Sequence, residues 1–173
     1  MIKTERLEIR LIESKDLENV RKLHNDPETL KWLSDTHVIS QNEQILWFQK
    51  LQSSITTRRY VVELLESKEL VGVFRLDNID VENKSTYVGL DVAVYYRRRG
   101  FALETYNAMN LYLFRELKFN RLSLNTLVNN YAAISLYERL GYRKEGIMRE
   151  AFYKNDKFID GFYYSMLRSD LEE

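Results

Sequence analysis

The chain has 173 residues, and its 26 Lys and Arg residues balance 26 Asp and Glu residues, so the formal net charge at pH 7 is +0. This balance argues against a dedicated nucleic-acid-binding protein, which is usually clearly basic. The sequence contains no cysteine, which excludes disulfides, thiolate metal sites and a cysteine nucleophile, and which fits a cytoplasmic location.

The composition also predicts the broad class of protein. With 45% hydrophobic residues, the length is typical of a globular protein with one domain over residues 1–173. No apolar run reaches the roughly 20 residues of a membrane span, so no membrane partner is predicted. The two histidines, His24 and His37, lack the spacing of metal ligands, and no metal site is predicted.

The N-terminal part predicts one strand followed by short helices. Residues 7–11 alternate apolar and polar side chains, which indicates a strand. Ser14 and Ser40 are typical N-cap residues, and Ser40 is followed by Glu43 in a capping box. Pro27 is expected to open a further short helix between them.

The remainder predicts an α+β fold. Alternating patterns indicate three antiparallel strands near residues 59–65, 70–76 and 86–94. A helix after Gly100, a strand over residues 121–128, a helix capped by Asn130 and two strands around residues 155–157 then follow, and their bounds are expectations from periodicity and capping residues. We therefore expect a mixed, mostly antiparallel sheet of about seven strands flanked by helices.

The most informative segment is the junction between the third strand of this group and the next helix. An apolar run ends near Val94, a turn containing Arg97, Arg98 and Arg99 follows, and the helical pattern begins directly after Gly100. Such a turn directs main-chain N–H groups and the positive end of a helix dipole at one point, which favours a phosphate or pyrophosphate ligand. A glycine allows the main chain to approach the anion closely.

Two motifs resemble the GNAT-type N-acetyltransferases. Residues 97–102 (RRRGFA) match the family pattern R/Q-x-x-G-x-G/A, and residues 130–142 (NYAAISLYERLGY) match its second motif at the usual separation. Residues 145–150, followed by Asp160 and Gly161, resemble the RimJ/RimL-like branch, which acetylates protein N-termini, polyamines and nucleotide-linked aminosugars. Residues 76–80 share some likeness with the aminosugar enzymes.

This resemblance implies a sheet that splays to admit acetyl-CoA as co-substrate. The strand before the turn would pair through its main chain with the pantetheine arm, and the turn would hold the pyrophosphate. The positions concerned are Val92, Ala93 and Val94 in the strand, Arg97, Arg98, Arg99, Gly100, Phe101 and Ala102 in the turn, and Asn130, Ala133 and Tyr137 in the second motif.

The resemblance also implies direct attack of a primary amine on the thioester, with Tyr137 as the general acid that protonates the leaving thiolate. A phenol with a pKa near 10 is protonated at neutral pH and can donate in this way. A buried tyrosine that only packs in the core is the alternative interpretation. Asn130 is interpreted either as a helix cap alone or as a cap that also contacts the cofactor.

The position of the general base departs from the family pattern, because Tyr87 stands where RimJ/RimL-like sequences often carry Glu. Asp91 lies two residues beyond Gly89 on the same strand face and is the predicted base, with an exposed or paired aspartate as the alternative. Glu63 and Asp160 are weaker candidates. The missing Glu keeps a second function open, namely a CoA-binding regulatory module that has lost turnover.

The acceptor is expected to be a small-molecule or peptide amine, and the N-terminal helices and the last strands are expected to form its site. A protein N-terminus, a polyamine and an aminosugar nucleotide all remain candidates. Aromatic residues available for the wall of this site are Trp32, Trp47, Tyr153 and Phe158, and carboxylates in the same half are Glu28, Asp35 and Glu43. A homodimer is a further expectation.

Overall fold

The computed structural model describes residues 1–33 and 36–171. One sheet of eight strands and five α-helices lie within these ranges. The strands are β1 (Ile2–Lys3), β2 (Leu7–Leu11), β3 (Arg58–Leu64), β4 (Leu70–Asp80), β5 (Ser85–Val92), β6 (Arg121–Leu127), β7 (Arg143–Lys154) and β8 (Lys157–Leu167). The helices are α1 (Leu17–Asn25), α2 (Pro27–Leu30), α3 (Gln41–Ser53), α4 (Phe101–Leu111) and α5 (Tyr131–Arg139).

The strand order is β1-β2-β3-β4-β5-β6-β8-β7, and every neighbouring pair is antiparallel except β5 and β6. The predicted α+β fold with a mixed, mostly antiparallel sheet is thereby confirmed. The strand beyond the predicted seven is β1, which has only two residues and is too short to give an alternating pattern.

Hydrogen bonds between side chains and the main chain determine where the N-terminal helices begin. The carboxylate of Asp16 accepts a hydrogen bond from the main-chain N–H of Glu13, so a 3-10 turn over Ser14–Asp16 precedes α1 and Ser14 is not the cap. For α3, the Ser40 capping box is present as predicted, because its side chain accepts from the N–H of Glu43.

The strand β5 ends at Val92, two residues earlier than expected. A 3-10 turn over Val94–Tyr96 follows it and closes with the N–H of Arg97 on the carbonyl of Val94 at 3.2 Å. The chain therefore leaves the sheet before the basic turn begins. This departure separates the turn from the sheet edge and sets the direction in which α4 starts.

The two sheet faces pack against different helices. Phe74 of β4 belongs to the main core cluster with residues of α4 and α5, such as Tyr106 and Tyr137. Val73, the next residue along β4, packs instead against Val20 of α1. Since successive residues of a strand point to opposite faces, this alternation assigns the side chains of β4 as far as Asp77, and those of β5 paired with them, to one of the two layers.

Candidate active site

The turn before α4 has free main-chain donors. Within the described parts of the chain, the N–H groups of Arg98, Arg99 and Gly100 make no hydrogen bond of normal geometry. Gly100 has φ +82° and is the N-cap of α4, whose first N–H groups have no partner one turn earlier. Free N–H groups at a helix N-terminus bind anions, so the turn has the donors that an anion-binding site requires.

The Arg97 side chain is occupied by the protein itself. Its Nε donates to the carbonyl oxygen of Val92 at 2.9 Å, and its Nη atoms donate to the carbonyl of Glu28 at 3.2 Å and to Oγ1 of Thr29 at 2.9 Å. Arg97 therefore ties α2 to the end of β5. The predicted contact between its charge and the cofactor stays a prediction, and its geometry favours a role in shaping the turn.

The other two arginines of the turn are exposed. The Arg99 guanidinium lies over the Tyr95 ring, 4.3 Å from its centroid, which fixes its direction through a cation–π contact. Arg98 has φ +59°, a left-handed conformation that is strained for a residue with a Cβ. Both charges remain available to the anion that the turn amides would bind.

Arg98→Gly is expected to raise the free energy of unfolding by about 0.5–1 kcal/mol. The left-handed conformation costs an L-residue about 1–2 kcal/mol, and glycine loses roughly 0.5–1 kcal/mol of that gain through its more flexible unfolded chain. Urea unfolding measures the change. Arg99→Gly, at a position without positive φ, should destabilise instead, and equal losses in both variants would contradict the expected relief of strain.

A cation from the N-terminal segment also lies at this turn. Arg6 donates from Nη1 to the carbonyl of Arg99 at 3.1 Å, and its guanidinium lies 4.3 Å from the ring centroid of Phe101. It forms an ion pair with Glu104 in the first turn of α4, with 2.6 Å between Nη2 and Oε2. Sequence reasoning missed Arg6, because no local pattern links it to a turn more than 90 residues away.

The buried side of the turn is built by Phe101 and Ala102. Phe101 is buried and packs edge to face on Tyr96, with 5.7 Å between ring centroids. Ala102 is half-buried in the first turn of α4. These side chains anchor the start of α4, so their contribution to a bound anion would come from main-chain N–H groups.

A gap opens between β5 and β6. The two strands pair only from Ser85–Tyr87 to Arg121–Ser123, and they separate beyond these residues. The N–H of Ala93 bonds to the carbonyl of Val71 on the β4 side at 2.9 Å. Because main-chain groups alternate between the two edges of a strand, those of Leu90 and Val92 face the gap.

Fewer main-chain groups are therefore free to contact pantetheine than the three predicted residues, Val92, Ala93 and Val94, would supply. The Val92 carbonyl already accepts from Arg97, and Ala93 bonds to β4. Val94 lies in the 3-10 turn and is 42% exposed. The groups that remain free toward the gap are the N–H of Val92 and the main chain of Leu90.

The second motif forms the start and the buried face of α5. Asn130 caps the helix, with its Oδ1 accepting from the N–H of Ala133 at 3.3 Å. Tyr137 is 9% exposed, and its ring centroid lies 5.9 Å from those of both Tyr106 and Tyr164. The phenol is thus held among aromatic rings on the α4–α5 face of the sheet.

Burial raises the pKa of Tyr137 above its ordinary value of 10.0. The Tyr106 hydroxyl and the Arg75 charge act in the opposite direction, and the Asp91 charge raises the pKa further. The phenol therefore stays protonated at neutral pH, as a proton donor must.

Asp91 is paired with Arg75 of β4, with 2.6 Å between Oδ2 and Nη1. The Asp91 side chain is 22% exposed and that of Arg75 is 35% exposed. Gly89 makes this pair possible, since a Cβ at that position would lie 2.5 Å from Arg75 Nε. The pair lies on the α1 side of the sheet, because Asp91 is opposite Val73.

Tyr87 lies on the same sheet face as Asp91, and its hydroxyl donates to the hydroxyl of Tyr163 at 3.2 Å. The weaker candidate bases have other partners. Glu63 pairs with Arg10 at 2.9 Å, and Asp160 accepts from the N–H of Glu150 at 2.7 Å.

The end of the β7–β8 hairpin lies next to α2. Lys154 donates from Nζ to the carbonyl of Leu30 at 3.2 Å, and burial lowers the pKa of this amine. Tyr153 and Phe158 are exposed at the hairpin with 5.0 Å between ring centroids. Trp32, which follows α2, is exposed as well.

The carboxylates named for the acceptor site are paired where the structure describes them. Glu28 forms an ion pair with Lys31, and Glu43 accepts from the N–H of Ser40 and contacts His37. Asp35 lies outside the described residues. Trp47 is half-buried on α3.

Among residues 1–33 and 36–171, no group of three or more His, Cys, Asp or Glu residues could hold a metal ion. In the same part of the chain, no helix is both long enough and apolar enough to cross a membrane. The cytoplasmic location stays a prediction.

A family profile described as "Acetyltransferase (GNAT) domain" matches residues 9–162. The putative ribosomal N-acetyltransferase YdaF of Bacillus subtilis is 28% identical over 174 residues, covering 97% of this chain and 94% of that protein. The spermidine N(1)-acetyltransferase of Vibrio cholerae is 28% identical over 154 residues, covering 89% and 88%.

A solved structure resembles the whole fold. The crystal structure of spermidine N-acetyltransferase from Vibrio cholerae in complex with CoA and spermine superposes with a TM-score of 0.92 at 26% identity. The alignment covers 98% of this chain and 100% of the other. The fold of this chain is therefore shared with a protein that was crystallised with CoA and spermine.

Proposed function

Because this chain belongs to the GNAT acetyltransferase family, we propose that it transfers an acetyl group from acetyl-CoA to a primary amine of a small molecule. The family match confirms the prediction of an acetyltransferase. The observation that supports the proposal most is the combination of three features. Free N–H groups lie in the turn before α4, a gap separates β5 from β6, and Tyr137 supplies a buried phenol.

The donor is proposed to bind along this gap. The N–H groups of residues 98–100 and the first turn of α4 would hold the pyrophosphate, with Arg98 and Arg99 adding positive charge. The free main-chain groups of Leu90 and Val92 would pair with the amides of the pantetheine arm, as an added strand does. Acetyl-CoA supplies a thioester carbonyl that an amine can attack directly.

Two side chains are proposed to move protons. Tyr137 gives its proton to the sulfur as the carbon–sulfur bond breaks, which makes the thiol a better leaving group. Asp91 takes the proton of the attacking amine, directly or through water. Only its Oδ2 is bonded to Arg75, so Oδ1 is available for this purpose.

A small amine is favoured by the relatives, of which the Vibrio cholerae enzyme is named as a spermidine acetyltransferase. The described carboxylates near the proposed acceptor side, Glu28, Glu43 and Asp91, all have basic partners. They offer no open acidic cluster for several positive charges. A polyamine, an aminosugar nucleotide and a protein N-terminus are therefore all kept as acceptors to compare.

The proposal is tested with a panel of primary amines and thiol detection of the released CoA. The panel contains spermidine, an aminosugar nucleotide, free amino acids and short peptides with free N-termini. Release that depends on one small-molecule class supports the proposal, and release with peptides alone would contradict it. Membership of the RimJ/RimL-like branch and a homodimer stay predictions.

Gly100→Val is expected to weaken acetyl-CoA binding by at least about tenfold. A side chain at this position would stand between the free N–H groups and the phosphate, and a β-branched residue at φ +82° is strained by about 1–2 kcal/mol. Isothermal titration calorimetry with acetyl-CoA measures the loss.

Gly141→Val is the matched control for this strain. Gly141 has φ +90°, and a Cβ there would lie 3.3 Å from Met166, as a Cβ at Gly100 would lie 3.3 Å from Arg6. Gly141 follows α5 and lies outside the turn. Both variants should lose stability, but only Gly100→Val should lose affinity, and equal affinity losses would argue against the anion-binding turn.

The alternative function is a CoA-binding regulatory module without turnover. One observation favours it. Tyr87 occupies the position in β5 where a glutamate was expected, and its hydroxyl forms a hydrogen bond with that of Tyr163. Calorimetry beside the amine panel separates the two functions. Tight binding of acetyl-CoA with no CoA release from any amine would support the regulatory module.

A further inference from the structure

Tyr106 of α4 has a buried hydroxyl without a partner. The residue is 1% exposed, and no hydrogen bond to this hydroxyl is found in the described part of the chain. A buried unpartnered hydroxyl is unfavourable, since it loses its hydrogen bonds to water without replacement. A phenylalanine would fill the same space without this cost, so the hydroxyl itself requires an explanation.

Neighbouring buried tyrosines do not share this feature. The Tyr142 hydroxyl donates to Oδ1 of Asn110 at 3.0 Å, and the Tyr164 hydroxyl donates to Oε1 of Glu138 at 3.3 Å. Tyr106 packs against the rings of both Tyr142 and Tyr137, with centroid distances of 6.3 Å and 5.9 Å. Among the fully buried tyrosine hydroxyls of this group in the described residues, that of Tyr106 is the one left for a partner that forms later.

We propose that Tyr106 is a positioning residue for Tyr137, donating a hydrogen bond to the Tyr137 oxygen when that oxygen becomes negative. The inference rests on the proposed function, in which Tyr137 is the general acid. When the O–H bond of Tyr137 breaks and the S–H bond forms, the electron pair stays on the Tyr137 oxygen. Tyr106 keeps its own proton and stabilises this phenolate until Tyr137 is protonated again.

The electrostatics agree with a donor role. Burial, followed by the neighbouring Tyr137 and Tyr142, raises the pKa of Tyr106 well above its ordinary value, so this phenol remains protonated. The Tyr106 hydroxyl in turn lowers the pKa of Tyr137, against the larger effect of burial. A hydrogen bond to a charged oxygen is stronger than one to a neutral oxygen, so the contact gains most after proton transfer.

The test uses Tyr106→Phe in the full chain, with Tyr142→Phe as the matched control. Tyr106→Phe should lower kcat on the order of tenfold, as expected for one hydrogen bond to a charged group. Its KM for acetyl-CoA and its unfolding midpoint should not worsen. The loss of activity at alkaline pH should shift to higher pH, because the pKa of Tyr137 rises when the donor is removed.

Tyr142→Phe should not shift the alkaline loss of activity, since the Tyr142 hydroxyl donates to Asn110 and not to Tyr137. In a Tyr137→Phe background, Tyr106→Phe should have no further effect on kcat. An unchanged kcat and pH profile in Tyr106→Phe, or an equal loss in both backgrounds, would overturn the inference. If Tyr137→Phe alone has no effect, the acid role in the proposed function fails instead, so the two failures are distinguishable.

Discussion

Tyr137→Phe is expected to lower kcat by about a hundredfold or more, with little change in the KM for acetyl-CoA. General acid catalysis contributes roughly 10²–10⁴ to a rate, and phenylalanine keeps the ring while removing the donated proton. The ring is what packs against Tyr106, Tyr142 and Tyr164, so the fold should be retained. Steady-state kinetics with the best amine of the panel measure both parameters.

Tyr164→Phe provides the control for this variant. Tyr164 is also buried and its ring contacts Tyr137, but its hydroxyl bonds to Glu138. It should lose stability through the lost hydrogen bond and keep most of kcat. A Tyr137→Phe variant that is as active as Tyr164→Phe would show that Tyr137 is a packing residue, which is the alternative interpretation of its position in the sequence.

The parts of the site that sequence predicts well are those fixed by local chemistry. Asn130 caps α5, Gly100 starts α4 with positive φ, and Ser40 starts α3 through its capping box. Each of these features depends on a few neighbouring residues and on hydrogen bonds to the adjacent main chain. The turn before α4 and the place of Tyr137 on α5 could therefore be predicted without coordinates, while their roles in phosphate binding and catalysis stay predictions.

The parts that sequence cannot predict depend on contacts between distant segments. The charge of Arg97 is directed to α2 by bonds to Glu28 and Thr29, which are 69 and 68 residues away. Arg6 reaches the turn from the N-terminal segment. The motif specifies Arg97 and leaves the positions of Arg98 and Arg99 open, but only the fold shows that the Arg97 guanidinium is held by the protein while the other two arginines are exposed.

The pairing of Asp91 is a second case of this kind. The register of β4 and β5 brings Arg75 over Gly89, and the guanidinium then reaches the carboxylate two residues further along β5. Neither the glycine nor the arginine is exceptional in its own strand. Only knowledge of the register, which depends on the whole antiparallel meander, makes Asp91 a paired aspartate rather than an isolated one.

Asp91→Asn is expected to lower kcat/KM by about a hundredfold at neutral pH. The amide keeps the size of the side chain and cannot accept the proton of the amine, and general base catalysis contributes roughly 10²–10⁴. Because the reacting amine must be neutral, the defect should shrink as the pH rises and free amine becomes abundant. The pH dependence of kcat/KM measures this recovery.

Asp77→Asn separates base catalysis from the structural value of an arginine pair. Asp77 of β4 pairs with Arg59 at 2.7 Å, as Asp91 pairs with Arg75, and it is comparably exposed at 33%. Asp91→Asn removes the 2.6 Å partner of Arg75, which keeps only a longer contact of 3.8 Å with Asp77. Asp77→Asn removes the partner of Arg59 together with that longer contact, so both variants should lose stability. If Asp91→Asn is no slower than Asp77→Asn at any pH, Asp91 only holds Arg75. If the kcat/KM of Asp91→Asn is lower and recovers at high pH, the Asp91 carboxylate accepts the proton of the attacking amine.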